Sequence, residues 1–494
     1  MKITLAGFNV DYETLRKITE GRREEAILTP EVFSAAYARI SRSPKTVTEL
    51  RRDAKDEIEK ARRTNRKIIF EMGHHSVAEH AVFNFDIIGV SRLLTEEIER
   101  FRLCSYTEKS QRYIKLKGDF VIPKEIAESV YLSRFKEVIN RGISFYHKLY
   151  GRIVEYEEKA LKRVLTKQER KRVALKANED ARYILSLSQK TQIGETINAR
   201  NLELLFRRCA SHRLEEARSF GIQMFDLVKK YAPSIILFYK ENEYDKKTYS
   251  ELRTLISGMD EKGYKAGDED VVLVNWTRDA DRMLIAAIVH TCSNISFGDA
   301  LKTAGAMAAD KKREIVKKAF ESMELYDAVL REFEHINLTF ELVISASCFA
   351  QLKRHRQATI TYQRYNPELG VTIPHSCYTV GMDKEFMEII KITNDLFYEM
   401  QRKLPEASEY ILTNAHRKRV LFSVNARELY HVSRLREDEH AQWEIREKAV
   451  EMLKLAKKVM PLTFLVSAGK DRYPEIYKEV YGRYPRVIKP VLPA

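Results

Sequence analysis

The chain has 494 residues, 44% hydrophobic and 32% charged, a length suited to two domains of about 150–250 residues and a composition that excludes a disordered or fibrous protein. No run approaches the roughly 20 apolar residues of a membrane span, and the start MKITLAGFNVDYE lacks a basic-then-apolar leader, so a cytoplasmic protein with no membrane partner is expected. The net charge of +15 raises nucleic acid as a partner, but basic and acidic residues interleave along helical stretches such as DAKDEIEKARRTNRK at 53–67, the pattern of ion-paired solvated faces, and nucleic acid is not the partner expected.

In chain order, the first landmark is the stretch AAYARISRS at 35–43. Next comes His74-His75-Ser76, then Glu79-His80, then a strand pattern in which Phe83, Phe85 and Ile87 alternate with Asn84 and Asp86. A short helical stretch follows and ends in Arg100-Phe101-Arg102, with Arg112-Tyr113 and Ile122-Pro123 beyond it. Then come EDARYIL, which contains Arg182, and TINARNL at 196–202. The polar, glycine-containing LISGMDEKGYKAGDED at 255–270 reads as turn and linker.

After it the same series begins again. AAIVHTCSN at 286–294 answers the first landmark, and Glu334-His335 introduces a strand in which Ile336, Leu338, Phe340 and Leu342 alternate with Asn337, Thr339 and Glu341. Arg354-His355-Arg356, Arg364-Tyr365, Ile373-Pro374 and SVNAREL at 423–429 complete it in the same order. The chain is therefore read as an internal duplication.

Arginines two apart beside a turn, with hydroxyls and a further arginine close behind, suit phosphate oxygens. The histidine cluster at 74–80 fits no HExxH zinc pattern and the second series keeps only Glu334-His335, so no metal is expected. No GxGxxG, Walker loop or GxSxG elbow is present, so a nucleotide cofactor would not be held by a Rossmann unit. The five cysteines (Cys104, Cys209, Cys292, Cys348, Cys377) are scattered and form no CxxC, and Cys377 in IPHSCY has no neighbour that would activate it.

Together these landmarks resemble the flavin-dependent thymidylate synthase family in tandem duplicated form. The family signature is RHR, two residues, Ser, four residues, Ser, one residue, Arg. The first series meets it with Arg100, Arg102, Ser105, Ser110 and Arg112, with Phe101 in place of the histidine. The second keeps Gln351 and Arg354-His355-Arg356 but is two residues short and lacks the Glu and second Ser. It also carries the family's NxR…AQWEI helix as Asn425, Arg427, Arg436 and Ala441-Gln442-Trp443-Glu444-Ile445.

The resemblance implies an α+β fold with helices around an antiparallel sheet, built as two tandem copies. The first copy is placed at 1–255, a linker at 256–270 and the second copy at 271–494. It implies FAD as cofactor, NADPH and methylenetetrahydrofolate as co-substrates, and dUMP as the substrate converted to dTMP, in a homodimer that forms a pseudo-tetramer. Carried over residue by residue, the substrate set is Ser110, Arg112, Arg182, Gln351 and Arg436, and the catalytic residues are Arg436 and Glu108. The cofactor set is His80, His335, Arg100, Arg102, Arg354, His355, Arg356, Asn425, Arg427 and His431, the last standing where the family usually has an asparagine.

Each copy departs from the pattern where the other keeps it. Glu409 replaces Arg182, Glu97 replaces Gln351, and Cys209 (or His212, if a three-residue gap is allowed) replaces Arg436. A composite site is expected, with the phosphate half from the first copy and the flavin and pyrimidine half from the second. The alternatives are a divergent paralogue that modifies C5 of another pyrimidine nucleotide, and a nucleotide-binding protein without turnover.

Overall fold

The computed structural model describes residues 1–22, 28–160, 163, 165–259 and 269–488; most of the expected linker lies outside them. It contains two four-stranded antiparallel sheets of the same order. The first, β1-β2-β4-β3, uses β1 (Lys2–Phe8), β2 (Val82–Ser91), β3 (Cys104–Glu108) and β4 (Lys190–Asn198). The second, β5-β6-β8-β7, uses β5 (Val271–Trp276), β6 (Asn337–Ser345), β7 (Thr359–Tyr362) and β8 (Arg417–Asn425). Helices surround both, so the duplicated α+β architecture is what the chain adopts.

The alternation read from the sequence is what buries one face of each central strand. Phe83, Phe85 and Ile87 of β2 and Leu338, Phe340 and Leu342 of β6 are buried, and each large apolar side chain so placed contributes about 2 kcal/mol. Ile336 differs from expectation. It is buried, but it precedes β6 and closes the short turn Arg331–His335, its N–H bonded to the Phe333 carbonyl. The edge strands carry matching irregularities, with the register shifting between Leu5 and Gly7 in β1 and between Leu273 and Asn275 in β5.

By packing, the described chain divides into two compact units. One is Met1–Tyr264 with Pro374–Thr413, and the other is Lys265–Ile373 with Asn414–Ala494. The segment Pro374–Thr413 comes from the second sequence copy and belongs to the first unit. Its helix Asp383–Lys403 packs along the helix Leu132–Ala160, with the Phe145 and Phe386 rings 5.9 Å apart. Arg134–Glu399 and Lys148–Glu385 ion pairs flank that contact at 2.5 and 2.6 Å. The Leu187 N–H donates to the Leu412 carbonyl at 2.7 Å.

The conserved order of the copies also fixes repeated polar joints. Asn198 and Asn425 each cap the helix that follows, accepting from the N–H of Asn201 at 3.0 Å and of Glu428 at 2.8 Å. Ser91 and Ser345 cap the short helices Arg92–Ile98 and Ala346–Leu352, and each is clamped by a glutamate, half-buried Glu216 or buried Glu444, through backbone N–H and hydroxyl. The Glu-His pairs acquire a physical meaning as well. Glu79 pairs with Arg200 and Glu334 with Arg427, which ties the entry of each central strand to the helix after its neighbour.

Candidate functional site

In the first unit, arginines converge beside the end of β3. Arg92, at the start of its short helix, is buried and lies 2.5 Å from the Glu108 carboxylate, which also accepts from Thr191 Oγ1 at 3.2 Å. Arg112 lies 2.5 Å from Glu179, whose backbone carbonyl accepts from Arg182 Nε at 3.2 Å. Arg182 is 5% exposed.

Burial, together with the positive charges of Arg112 and Arg92, pulls the Arg182 pKa below its ordinary value. An arginine whose charge is disfavoured by burial and by neighbouring guanidiniums suits an anion, because a phosphate dianion offsets that penalty and accepts forked hydrogen bonds. The Ser110 hydroxyl accepts from the Arg112 N–H at 3.2 Å. Glu108 is thus held in a buried ion pair with Arg92. Burial opposes the Arg92 charge, and the neighbouring carboxylate more than restores it.

The counterpart of this corner in the repeat is chemically opposite. The turns Arg182–Ile184 and Ser408–Ile411 occupy the same place ahead of β4 and β8, and the antiparallel bridge Ser186–Thr413 links matching residues of the two series. Glu409 therefore stands where Arg182 stands. It is buried and paired with Arg213, which also donates to the Glu406 carbonyl at 2.6 Å. Burial works against the Arg213 charge, but Glu409 and Glu406 hold its pKa above the ordinary value. Close by are Glu97, in the place of Gln351, and His212, whose Nε2 is 3.9 Å from it. Cys209 and Arg436 both lie eleven residues after their capping asparagines, so helix register makes Cys209 the counterpart of Arg436, while His212 is the residue that meets Glu97.

The second unit holds the other set. Arg436, at the end of the helix Ala426–Arg436, donates from Nε to His355 Nε2 at 2.9 Å. Its Nη atoms reach the Gln351 side-chain oxygen at 3.3 Å and the Gln351 carbonyl at 3.0 Å. His355 Nδ1 lies 3.3 Å from Glu428, and the His431 ring packs edge-on at 5.8 Å. His355, Glu428 and His431 bring ligand-type atoms within 4.8 Å of one another, the one such group among the described residues. A metal on Nδ1 would require a proton on Nε2, which would then face the Arg436 N–H. The arrangement is therefore a hydrogen-bond chain rather than a ligand set.

The remaining expected residues are placed as follows. Asn425 is a helix cap, and Arg427 bonds the Val329 carbonyl at 2.9 Å and Glu334 at 3.0 Å, so both have architectural work. His80 is exposed and lies edge-on to Tyr37, and His335 is exposed beside β6. Arg100 and Arg102 are exposed, whereas Arg354 and Arg356 are half-buried in the turn that holds His355. Sequence reasoning missed Arg92, Glu179 and Glu428. Glu428 and His431 lie three residues apart on one helical face, a signal that was available.

The family model for the thymidylate synthase complementing protein matches the chain twice, over residues 25–234 and 272–462. A flavin-dependent thymidylate synthase of Clostridium tetani is 33% identical over 213 residues, covering 42% of this chain and 82% of that protein. A UPF0159 protein of Thermoplasma acidophilum is 23% identical over 437 residues, covering 80% of this chain and 86% of its own. The solved structure of the Helicobacter pylori flavin-dependent thymidylate synthase, complexed with FAD and dUMP, covers 49% of this chain and 100% of its own at 17% identity, with a TM-score of 0.29.

Proposed function

Because this chain belongs to the thymidylate synthase complementing protein family, whose model spans both copies, we propose that it converts dUMP to dTMP using FAD, NADPH and methylenetetrahydrofolate. The complete site draws its phosphate half from the first copy and its pyrimidine half from the second. The observation that carries this reading is complementary loss: the first copy keeps Arg182 where the second has Glu409, and the second keeps Arg436 where the first has Cys209. Two chains with four copies would then hold two complete sites.

In this reading Arg182 and Arg112 take the nucleotide phosphate. Arg92 holds Glu108 so that the arginine corner keeps its shape. Arg436 points a fixed donor at the pyrimidine, where negative charge builds as C5 gains its new bond. Arg354 and Arg356 are half-buried cations suited to an anionic dinucleotide, so this donor set fits FAD. FAD held there would supply the hydride chemistry, drawing on NADPH, that accompanies transfer of the folate's one-carbon unit to C5. No protein nucleophile takes part. Cys104, Cys209, Cys348 and Cys377 are buried, and burial pushes the Cys377 thiol up to about 12.

Phe101 and His431 favour a second reading, in which another pyrimidine nucleotide is modified at C5. Phe101 is buried under the Arg208 guanidinium and gives no hydrogen bond where the family has its histidine. Tritium release from C5-labelled dUMP, run anaerobically with FAD, NADPH and the folate, tests the first reading. Release that needs both flavin and folate supports it. Absence of release, with UMP or dCMP labelled at C5 turned over instead, selects the second.

A further inference from the structure

We propose that Glu428 is a positioning residue that fixes the tautomer of His355 and, through it, the pose of Arg436. The argument is one of donors and acceptors. An arginine Nε carries a hydrogen and can only donate, so His355 Nε2, 2.9 Å away, is the ring nitrogen without a proton. The proton of the neutral ring then sits on Nδ1, which faces the Glu428 carboxylate at 3.3 Å. Glu428 accepts that hydrogen and makes this tautomer the favoured one.

His355 is 3% exposed, and its ring is hemmed by Arg436 and by His431. Burial first, then the charges of Arg436 and His431, keep it neutral. Without an acceptor at Glu428 the buried Nδ1–H loses its partner, and the Arg436 contact alone is left to favour this tautomer. A proton on Nε2 would face the Arg436 N–H, and the arginine would have to move. With His355 in place, Arg436 is fixed at three atoms, Nε by His355 and both Nη by Gln351. The first copy has Asn201 and Phe101 at these positions and cannot build the chain of contacts.

That Arg436 acts on the pyrimidine rests on the function proposed above; the tautomer does not. The test uses the full chain labelled with 15N-histidine and needs no ligand for its first arm. His355, assigned with a His355→Gln variant, should show the Nδ1–H neutral form. It should keep that form in Glu428→Gln, whose side-chain oxygen still accepts, and lose it in Glu428→Leu. In the second arm, tritium release from dUMP should fall about 10–100-fold in kcat for Glu428→Leu, with KM changed less than threefold, and should stay within about threefold of wild type for Glu428→Gln.

A wild-type His355 found as the Nε2–H form or as imidazolium overturns the proposal. So does a Glu428→Leu variant with an unchanged tautomer or unchanged turnover. A tautomer that shifts as expected in a wild-type protein that releases no tritium leaves the Glu428–His355 link standing and sinks the dUMP reading instead.

Discussion

Arg182 and Glu409 stand at the same place in the two copies, and their surroundings differ in kind. Around Arg182 further guanidiniums gather, and burial weakens its hold on its own proton. Around Glu409 the cation Arg213 closes an internal ion pair. The first corner sets Arg92, Arg112 and Arg182 against Glu108 and Glu179, whereas the second sets Arg213 against Glu409 and Glu406. A duplicated scaffold can thus keep its shape at two places while their charges differ, since a buried carboxylate with a matched cation closes on itself.

A parallel difference runs across the sheets. In the second sheet the row Phe340–Phe422–Ile360 is apolar, whereas the first has Phe85–Glu195–Tyr106. Glu195 is 2% exposed, neither carboxylate oxygen has a hydrogen-bond partner, and burial, helped by Glu99, pushes its pKa up to about 8.

The largest expected effect comes from making the first corner resemble the second. Arg182→Glu should weaken dUMP binding by about 1,000-fold, measured by calorimetry, because a charge-assisted contact becomes a repulsion. Unchanged affinity would break the contrast between the corners. Next, Arg436→Cys, which copies the residue of the first series, should lower kcat about 100-fold while dUMP still binds, and chymotryptic stability should be unaffected. Equal loss in KM and kcat would assign Arg436 to ground-state binding instead.

Third, Glu409→Gln should leave dUMP affinity unchanged and destabilise the protein by about 2–3 kcal/mol, since Arg213 loses its buried charged partner and keeps only Glu406; denaturant melts read this. A loss of dUMP binding would contradict the assignment of Glu409 to the closed corner.

Fourth, Glu195→Gln should raise the melting temperature by several degrees at pH 8.5 and leave it nearly unchanged at pH 4.5. The folded-state pKa lies above the unfolded one, so the folded chain keeps a proton that the unfolded chain has released. Stability therefore falls as pH rises from about 4.5 to about 8 and levels off beyond. An equal gain at both pH values would mean that Glu195 is already ionised in the fold.

The repeat and its strands were legible because period-two alternation and the Glu-His and Arg-x-Arg pairs survive in both copies. Glu195 was hidden by that same regularity. QIGETIN alternates as a strand should, and nothing in the spelling says that the acid faces inward. Arg92–Glu108 and Arg112–Glu179 join residues 16 and 67 positions apart, which only the fold brings together. The packing of Pro374–Thr413 into the first unit could not be read either, because an amphipathic helix such as Asp383–Lys403 advertises an apolar face but not the partner that covers it. Of the candidate site, the positions of Arg112, Arg182, Gln351 and Arg436 could be picked out by motif spacing. The groups that hold them were not, apart from Glu428, which lay open to a helical reading.

The central claim is that each chain carries one complete nucleotide site and one closed corner. Equilibrium titration of the full chain with dUMP, with FAD present, tests it most directly. The account predicts one dUMP per chain, abolished by Arg182→Glu and retained in Glu409→Gln. Two dUMP per chain, or one that survives Arg182→Glu, would contradict it.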